Sequence, residues 1–315
     1  MKIRKDEKKM KKENVKTLRI IAAIVTVILG YGAILLCNYV KARLTSGLSI
    51  NYYLDSFLNE VVSSIVVVVI VMIAHKTVAF RFNAKDFFRG FRYGLVPIAI
   101  SVLLLLGSLG GLAGQELIRG WEIILVLAKC ILIGFTEEAL YRGTVQELLT
   151  DAFGDDTKKA QISAIVGSSV LFGATHLINA FSPRVSFTTA LIQAVTAGFM
   201  GLLFGGIYLN AGRSIWPGVL IHAIIDAVSF ISMGMFTGVT EEGAIGNLSP
   251  ATLVNCVLYL VLFLYTMKYH ETEDDEESIK KRKKLALIVA GGVLIFILFI
   301  FVVIPLILST MMQVG

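Results

Sequence analysis

The chain has 315 residues, of which 56% are hydrophobic and 17% charged, and its mean hydropathy is +0.78. That composition excludes an ordinary soluble domain of this length and indicates a polytopic membrane protein. The net charge of +6 does not indicate a nucleic-acid partner, because Lys and Arg stand in short blocks beside apolar runs, as membrane topology signals do.

The opening segment, residues 1–19, is dense in Lys and Arg and is expected to stay in the cytosol, outside the fold proper. The run 20–38 follows without a clear cleavage site and reads as an anchor helix rather than a removable signal peptide. Apolar runs at 54–75, 92–113, 121–142, 161–181, 187–210, 215–236, 250–268 and 285–310 are each near the length of a membrane span. The expected fold is an all-α polytopic membrane helix bundle of about eight to nine transmembrane helices around a polar intramembrane cavity. Its parts are N-terminal helices at 20–113, a core at 121–236, and a C-terminal pair at 250–315 containing a charged linker, 269–284.

Lys76, Arg81, Lys85, Arg89 and Arg92 share one connection and Lys280 to Lys284 another, which places both on the cytosolic side with the N-terminus. The segment from Thr237 to Pro250, with Glu241 and Glu242, falls opposite, while Lys41 and Arg43 run weakly against the pattern. An odd number of crossings puts Gly315 outside. The stretch Phe87 to Arg92 suits a headgroup-layer helix and an ordinary basic loop equally well. Cys37, Cys130 and Cys256 are isolated within apolar runs and read as small buried hydrophobes.

Chemistry concentrates on three of the runs. In Gly134-Phe135-Thr136-Glu137-Glu138-Ala139-Leu140-Tyr141-Arg142, two adjacent carboxylates and an arginine stand where ionisable groups are costly unless paired or facing a wet cavity. Glu138 and Arg142 are four residues apart on one helical face and can pair, whereas Glu137 projects about 100° away and stays free for chemistry. A second run places Phe172 and His176 on one face; a third places His222 and Asp226 together, after a Ser214-Ile215-Trp216-Pro217 lead-in whose proline suits a first helical turn. A cavity holding carboxylate and imidazole can activate water as a general base, and it can equally ligate a divalent metal such as Zn2+ through Glu137, His176 and His222. The H-E-x-x-H spacing of soluble metalloproteases is absent. Depth along the helices is discordant: Glu138 and His222 fall near the cytosolic ends of their spans, and His176 falls deeper. His75 and His270 read as boundary and solvated residues, and the Gly201 to Gly205 pattern as close helix packing.

The ordered set E-E-x-x-x-R (Glu137, Glu138, Arg142), F-x-x-x-H (Phe172, His176) and H-x-x-x-D (His222, Asp226), over about Trp121 to Phe230, resembles the CPBP family of intramembrane proteases. That family includes the type II CAAX prenyl endopeptidases and the bacterial bacteriocin-processing and immunity (Abi) proteins. The resemblance implies a membrane-embedded endopeptidase acting on a peptide or protein substrate among membrane lipids, in a bacterial plasma membrane. It implies that Glu137 and His176 activate water or help bind a metal, that His222 with Asp226 completes the site and stabilises an oxyanion, and that Glu138, Arg142 and Phe172 support them. Many prenyl endopeptidases carry Asn where this chain has Asp226; an ionised carboxylate cannot donate to an oxyanion, so Asp226 is better suited to orienting His222 or contributing to a metal site. Two other readings of the same residues are a non-catalytic immunity or scaffold protein that binds a peptide partner, and an ion pathway, which the lack of paired broken-helix repeats disfavours.

Overall fold

The computed structural model describes residues 2–108, 118–233, 245, 248 and 250–268, and all regular structure among them is helical. The helices are α1 (Lys2–Thr45), α2 (Tyr52–Ile73), α3 (Ala84–Phe91), α4 (Leu95–Ser108), α5 (Gly120–Leu140), α6 (Glu147–Phe153), α7 (Lys158–Thr175), α8 (Phe187–Asn210), α9 (Trp216–Met233) and α10 (Val254–Lys268). The linker 269–284 and the expected span 285–310 lie outside the described residues. Short polar side chains set several starts: Asn51, Asn83, Thr157 and Ser186 each accept a backbone N–H of the first turn of α2, α3, α7 and α8. Gly154, at φ 95°, ends α6 in a conformation that favours glycine.

One expectation is corrected. The basic opening segment is not separate from the fold, because α1 is one helix from Lys2; Lys16 lies 4.9 Å over the Phe153 ring, and Arg19 hydrogen-bonds to the Asp151 carbonyl. Part of the expected span count falls within the described residues. Four helices among them have the length and apolarity to cross a membrane, namely Glu13–Thr45, Tyr52–Ile73, Lys158–Phe181 and Phe187–Asn210, with Trp216–Phe230 and Val254–Lys268 shorter. α4 is described as far as Ser108, and α5 carries Glu122, Lys129, Glu137 and Glu138 within 21 residues.

The discordant depth is resolved by where the helices begin and end. The backbone of α5 does not stop near Arg142 but continues through a π-helical turn, Tyr141–Gln146, into α6. Glu137 therefore lies about 24 Å from the Phe153 end and His176 about 27 Å from the Lys158 end of the neighbouring α7, at 1.5 Å per residue, which puts them level. α9 starts well inside that end: Arg213, just before it, reaches Glu147 (3.4 Å) and Asp155 (2.8 Å). Its first turn is fixed from the α2–α3 connection, where Phe80 O accepts from the Trp216 indole (2.9 Å) and Arg81 O from Ser214 (2.7 Å). The short amphipathic α3, not a loop, buttresses this corner through Arg89, which donates to Asn210 O (2.6 Å).

The buried core joins Val27 of α1, Val67 and Val71 of α2, Leu140, Val145, Phe172 of α7 and Val219 of α9. Leu29, Leu36, Ile65, Ile73, Ile124 and Leu264 are exposed, the apolar outer surface that spans present to lipid. Close approach of helices rests on glycine. A Cβ on Gly173 would stand 2.5 Å from Ala194 O and 3.1 Å from Gly198, so α7 and α8 meet backbone to backbone. A Cβ on Gly134 would stand 2.8 Å from Val219 O, so α5 and α9 do likewise. Gly134→Ala should therefore push these helices apart and destabilise the protein by about 1–3 kcal/mol. Gly32→Ala, where a Cβ meets nothing within 4 Å, should be neutral or mildly stabilising, as thermal unfolding in detergent would show.

Candidate active site

The α5–α9 contact at Gly134 brings two turns of chemistry together. Three residues before the π turn begins, Glu138 is 1% exposed, with Oε2 3.3 Å from Arg142 Nε, the pairing that the four-residue spacing anticipates. Arg142 is fully buried, its guanidinium 4.8 Å from the Phe172 ring centre and 5.7 Å from that of Phe204. Gly218 of α9 makes room for the Glu138 carboxylate, since a Cβ there would lie 2.7 Å from Oε2.

His222 stands at the junction, 3% exposed, with both ring nitrogens facing acids. Nδ1 is 3.5 Å from Glu138 Oε1; Nε2 is 3.4 Å from Glu137 Oε2 and 3.7 Å from Asp226 Oδ2. Phe204 stacks on the imidazole at 5.2 Å and 17°, so one aromatic ring packs against both His222 and Arg142. His176 follows the last residue of α7 and opens a short 3-10 turn, His176–Phe181. Its Nδ1 lies 2.9 Å from Phe172 O. A carbonyl can only accept, so Nδ1 carries the proton and, in the neutral ring, Nε2 keeps the lone pair.

Glu137, His176, His222 and Asp226 line one cavity of about 340 Å³, with Met200, Phe230, Ile245 and Leu248 among its apolar walls. Glu138, Arg142 and Phe172 are buried behind that wall. The seven residues singled out in the sequence thus divide into four that face the cavity and three that hold them. Glu137, His176 and His222 face the same cavity, although among the described residues no group of three His, Cys, Asp or Glu side chains is already closed around an ion position.

Sequence reasoning missed Phe204, hidden among the glycines of α8, and Gln193, which lines the cavity and accepts from Asn179 Nδ2 (2.7 Å). It also missed Tyr141, whose hydroxyl meets Thr175 Oγ1 at 2.8 Å. Only Tyr141 had a usable signal, its place beside Arg142 in the acidic stretch. The buried pair itself can be tested. Arg142→Met leaves Glu138 charged and uncompensated in an apolar interior and should cost about 3–5 kcal/mol, whereas Glu138→Leu with Arg142→Met should recover most of that loss in a thermal melt.

Comparison with known proteins agrees with this arrangement. No curated protein and no solved structure matches the chain. A family model does: residues 119–228 match type II CAAX prenyl endopeptidase Rce1-like, within two residues of the stretch in which the motifs lie, and this bears out the resemblance to CPBP intramembrane proteases. The match is to the prenyl endopeptidases rather than to the bacteriocin-processing and immunity proteins. It takes in α5 to α8 and α9 as far as Val228, and every residue of the buried cluster. That central third of the chain is thus similar to the Rce1-like type II CAAX prenyl endopeptidases.

Proposed function

We propose that the protein is an intramembrane endopeptidase that hydrolyses a peptide bond near the end of a membrane-associated, CAAX-type substrate. The observation that carries this reading is the convergence of Glu137, His176, His222 and Asp226 on one largely apolar cavity. An extended peptide fits such a space, and low polarity strengthens every charge-assisted step within it.

In this reading Glu137 takes a proton from water, and the hydroxide oxygen bonds to the scissile carbonyl carbon. His222, with Glu138 3.5 Å from Nδ1 and Asp226 3.7 Å from Nε2, faces Glu137 in the resting site, and its one Nε2–H turns toward the oxyanion of the tetrahedral intermediate. The proton held by Glu137 passes to the leaving nitrogen as the C–N bond breaks, giving a carboxylate and an amine. His176, fixed through Nδ1, offers Nε2 as the second proton acceptor facing the substrate. Asp226 is a positioning residue here. The chain is proposed to cross a bacterial plasma membrane eight to nine times with its N-terminus in the cytosol, the basic segments of α1 and α3 facing that side.

Glu137→Gln and His176→Ala should each lower cleavage of a fluorogenic prenylated peptide by about 10²–10⁴-fold while leaving insertion and melting temperature unchanged. Full activity in either variant defeats the assignment. Zn2+ bound by Glu137, His176 and His222 is the metal-assisted form of the same proposal. Elemental analysis of active protein beside a Glu137→Ala, His176→Ala, His222→Ala variant separates the two: about one metal per chain, lost in the variant, favours the metalloprotease, and active metal-free protein favours the general-base pair.

A further inference from the structure

Glu137 is shared by two cavities. Beyond the one just described, it lines a second, of about 370 Å³, walled by Tyr31 and Ile34 of α1, Glu60 and Ser63 of α2, and Thr136 and Tyr141. The chemistry of the two spaces differs. Ile133 and Ile245 line both, but the first is otherwise mainly apolar, with Met200, Phe230 and Leu248 around its ionisable groups, whereas the second is about equally polar and apolar, with four hydroxyls, Glu60 and Asn179 beside Ile34 and Leu140. Hydrolysis inside an apolar bundle needs water delivered to one carboxylate oxygen, and a peptide that fills the first cavity excludes water from it. A space of this size accommodates on the order of ten waters, and its side chains offer the two to four polar partners that each of them needs.

The polar wall does not end at the cavity. The Tyr31 hydroxyl lies beside those of Tyr141 and Thr175. Tyr141 and Thr175 are 2.8 Å apart, and Thr175 donates to Phe172 O, the carbonyl on which His176 Nδ1 also rests. A run of hydroxyls thus leads from the α1–α2 side to the support of the second proton acceptor.

We propose that the cavity between α1, α2 and α5 is the water chamber of the site: it supplies the nucleophilic water to Glu137, with Glu60 positioning that water by accepting its hydrogen bonds, while the peptide occupies the α8–α9 cavity. Glu60 and Tyr31 both lie outside the segment that matches the prenyl endopeptidase family. The inference rests on the endopeptidase reading, and its test separates the two.

With Cys37, Cys130 and Cys256 replaced by Ala, Glu60→Cys and Ser63→Cys should react with a water-soluble, cationic methanethiosulfonate at least about tenfold faster than Val67→Cys, which is fully buried in the core. Equal rates would show a dry cavity and overturn the proposal, whether or not the protein is a protease. In the native background, Ile34→Phe, which fills the chamber, and Glu60→Gln should each lower kcat for the prenylated peptide by about tenfold with KM held within about twofold. A raised KM at unchanged kcat would make the chamber a peptide subsite, and unchanged kinetics would leave it without a role; either overturns the proposal. Wild-type protein that labels as expected but cleaves no peptide would instead defeat the endopeptidase reading.

Discussion

A guanidinium buried in the interior of a membrane protein is the constraint on which the rest of the site depends. Arg142 has no exposure to solvent, and a cation so placed is tolerable only with a close counter-charge and polarisable neighbours. Glu138 supplies the charge; Phe172 and Phe204 supply the faces. That obligation fixes Glu138 from one side, so its other oxygen is left toward His222, and His222 in turn presents Nε2 to Glu137 and Asp226. Each group is held because the one behind it cannot move. Such a relay gives a catalytic carboxylate a fixed position in a medium where reorganisation is expensive.

The surrounding helices supply the rigidity that this relay requires. α7 and α8 approach through Gly173 and Gly198, and α5 and α9 through Gly134, at distances that no side chain would allow. At the far end, Arg213 ties the start of α9 to Glu147 and Asp155, and Lys76 reaches Asp151 at 2.8 Å. These exposed and half-exposed pairs contribute little individually to stability. Their effect is on register, because they anchor α9 against the helix that carries the acids. The π turn at Tyr141–Gln146 lies between the acids and that ionic end, where such turns recur beside functional groups.

Most of the site was legible in the sequence, because burying an ionisable group in an apolar run is expensive enough to be informative. Glu137, Glu138, Arg142, His176, His222 and Asp226 all announced themselves in this way, and the four-residue spacings gave the pairing of Glu138 with Arg142. Glu60 of α2 stood in an apolar run by the same rule and was not singled out. Phe204 carried no such mark, since an aromatic residue in an apolar helix is ordinary until its neighbours are known. Helix ends were the least legible part. Nothing in the hydropathy of 121–142 says that the helix runs on to Phe153, and that continuation is what brings Glu137 level with His176. The same polar residues keep α5 out of the helices that are apolar enough to cross a membrane by composition alone.

The boundaries of the family segment have a consequence for how such a protein can diversify. All the acids, histidines and aromatic supports of the buried cluster come from residues 119–228. Part of the surface that encloses it comes from elsewhere in the chain. Ile245, Leu248 and Thr252 help close one cavity from beyond that segment, and Tyr31, Ile34, Glu60 and Ser63 wall the other from before it. Changes at these wall positions alter what each cavity admits without replacing a member of the buried cluster. What reaches the cluster, peptide or water, is therefore set partly outside the segment that builds it.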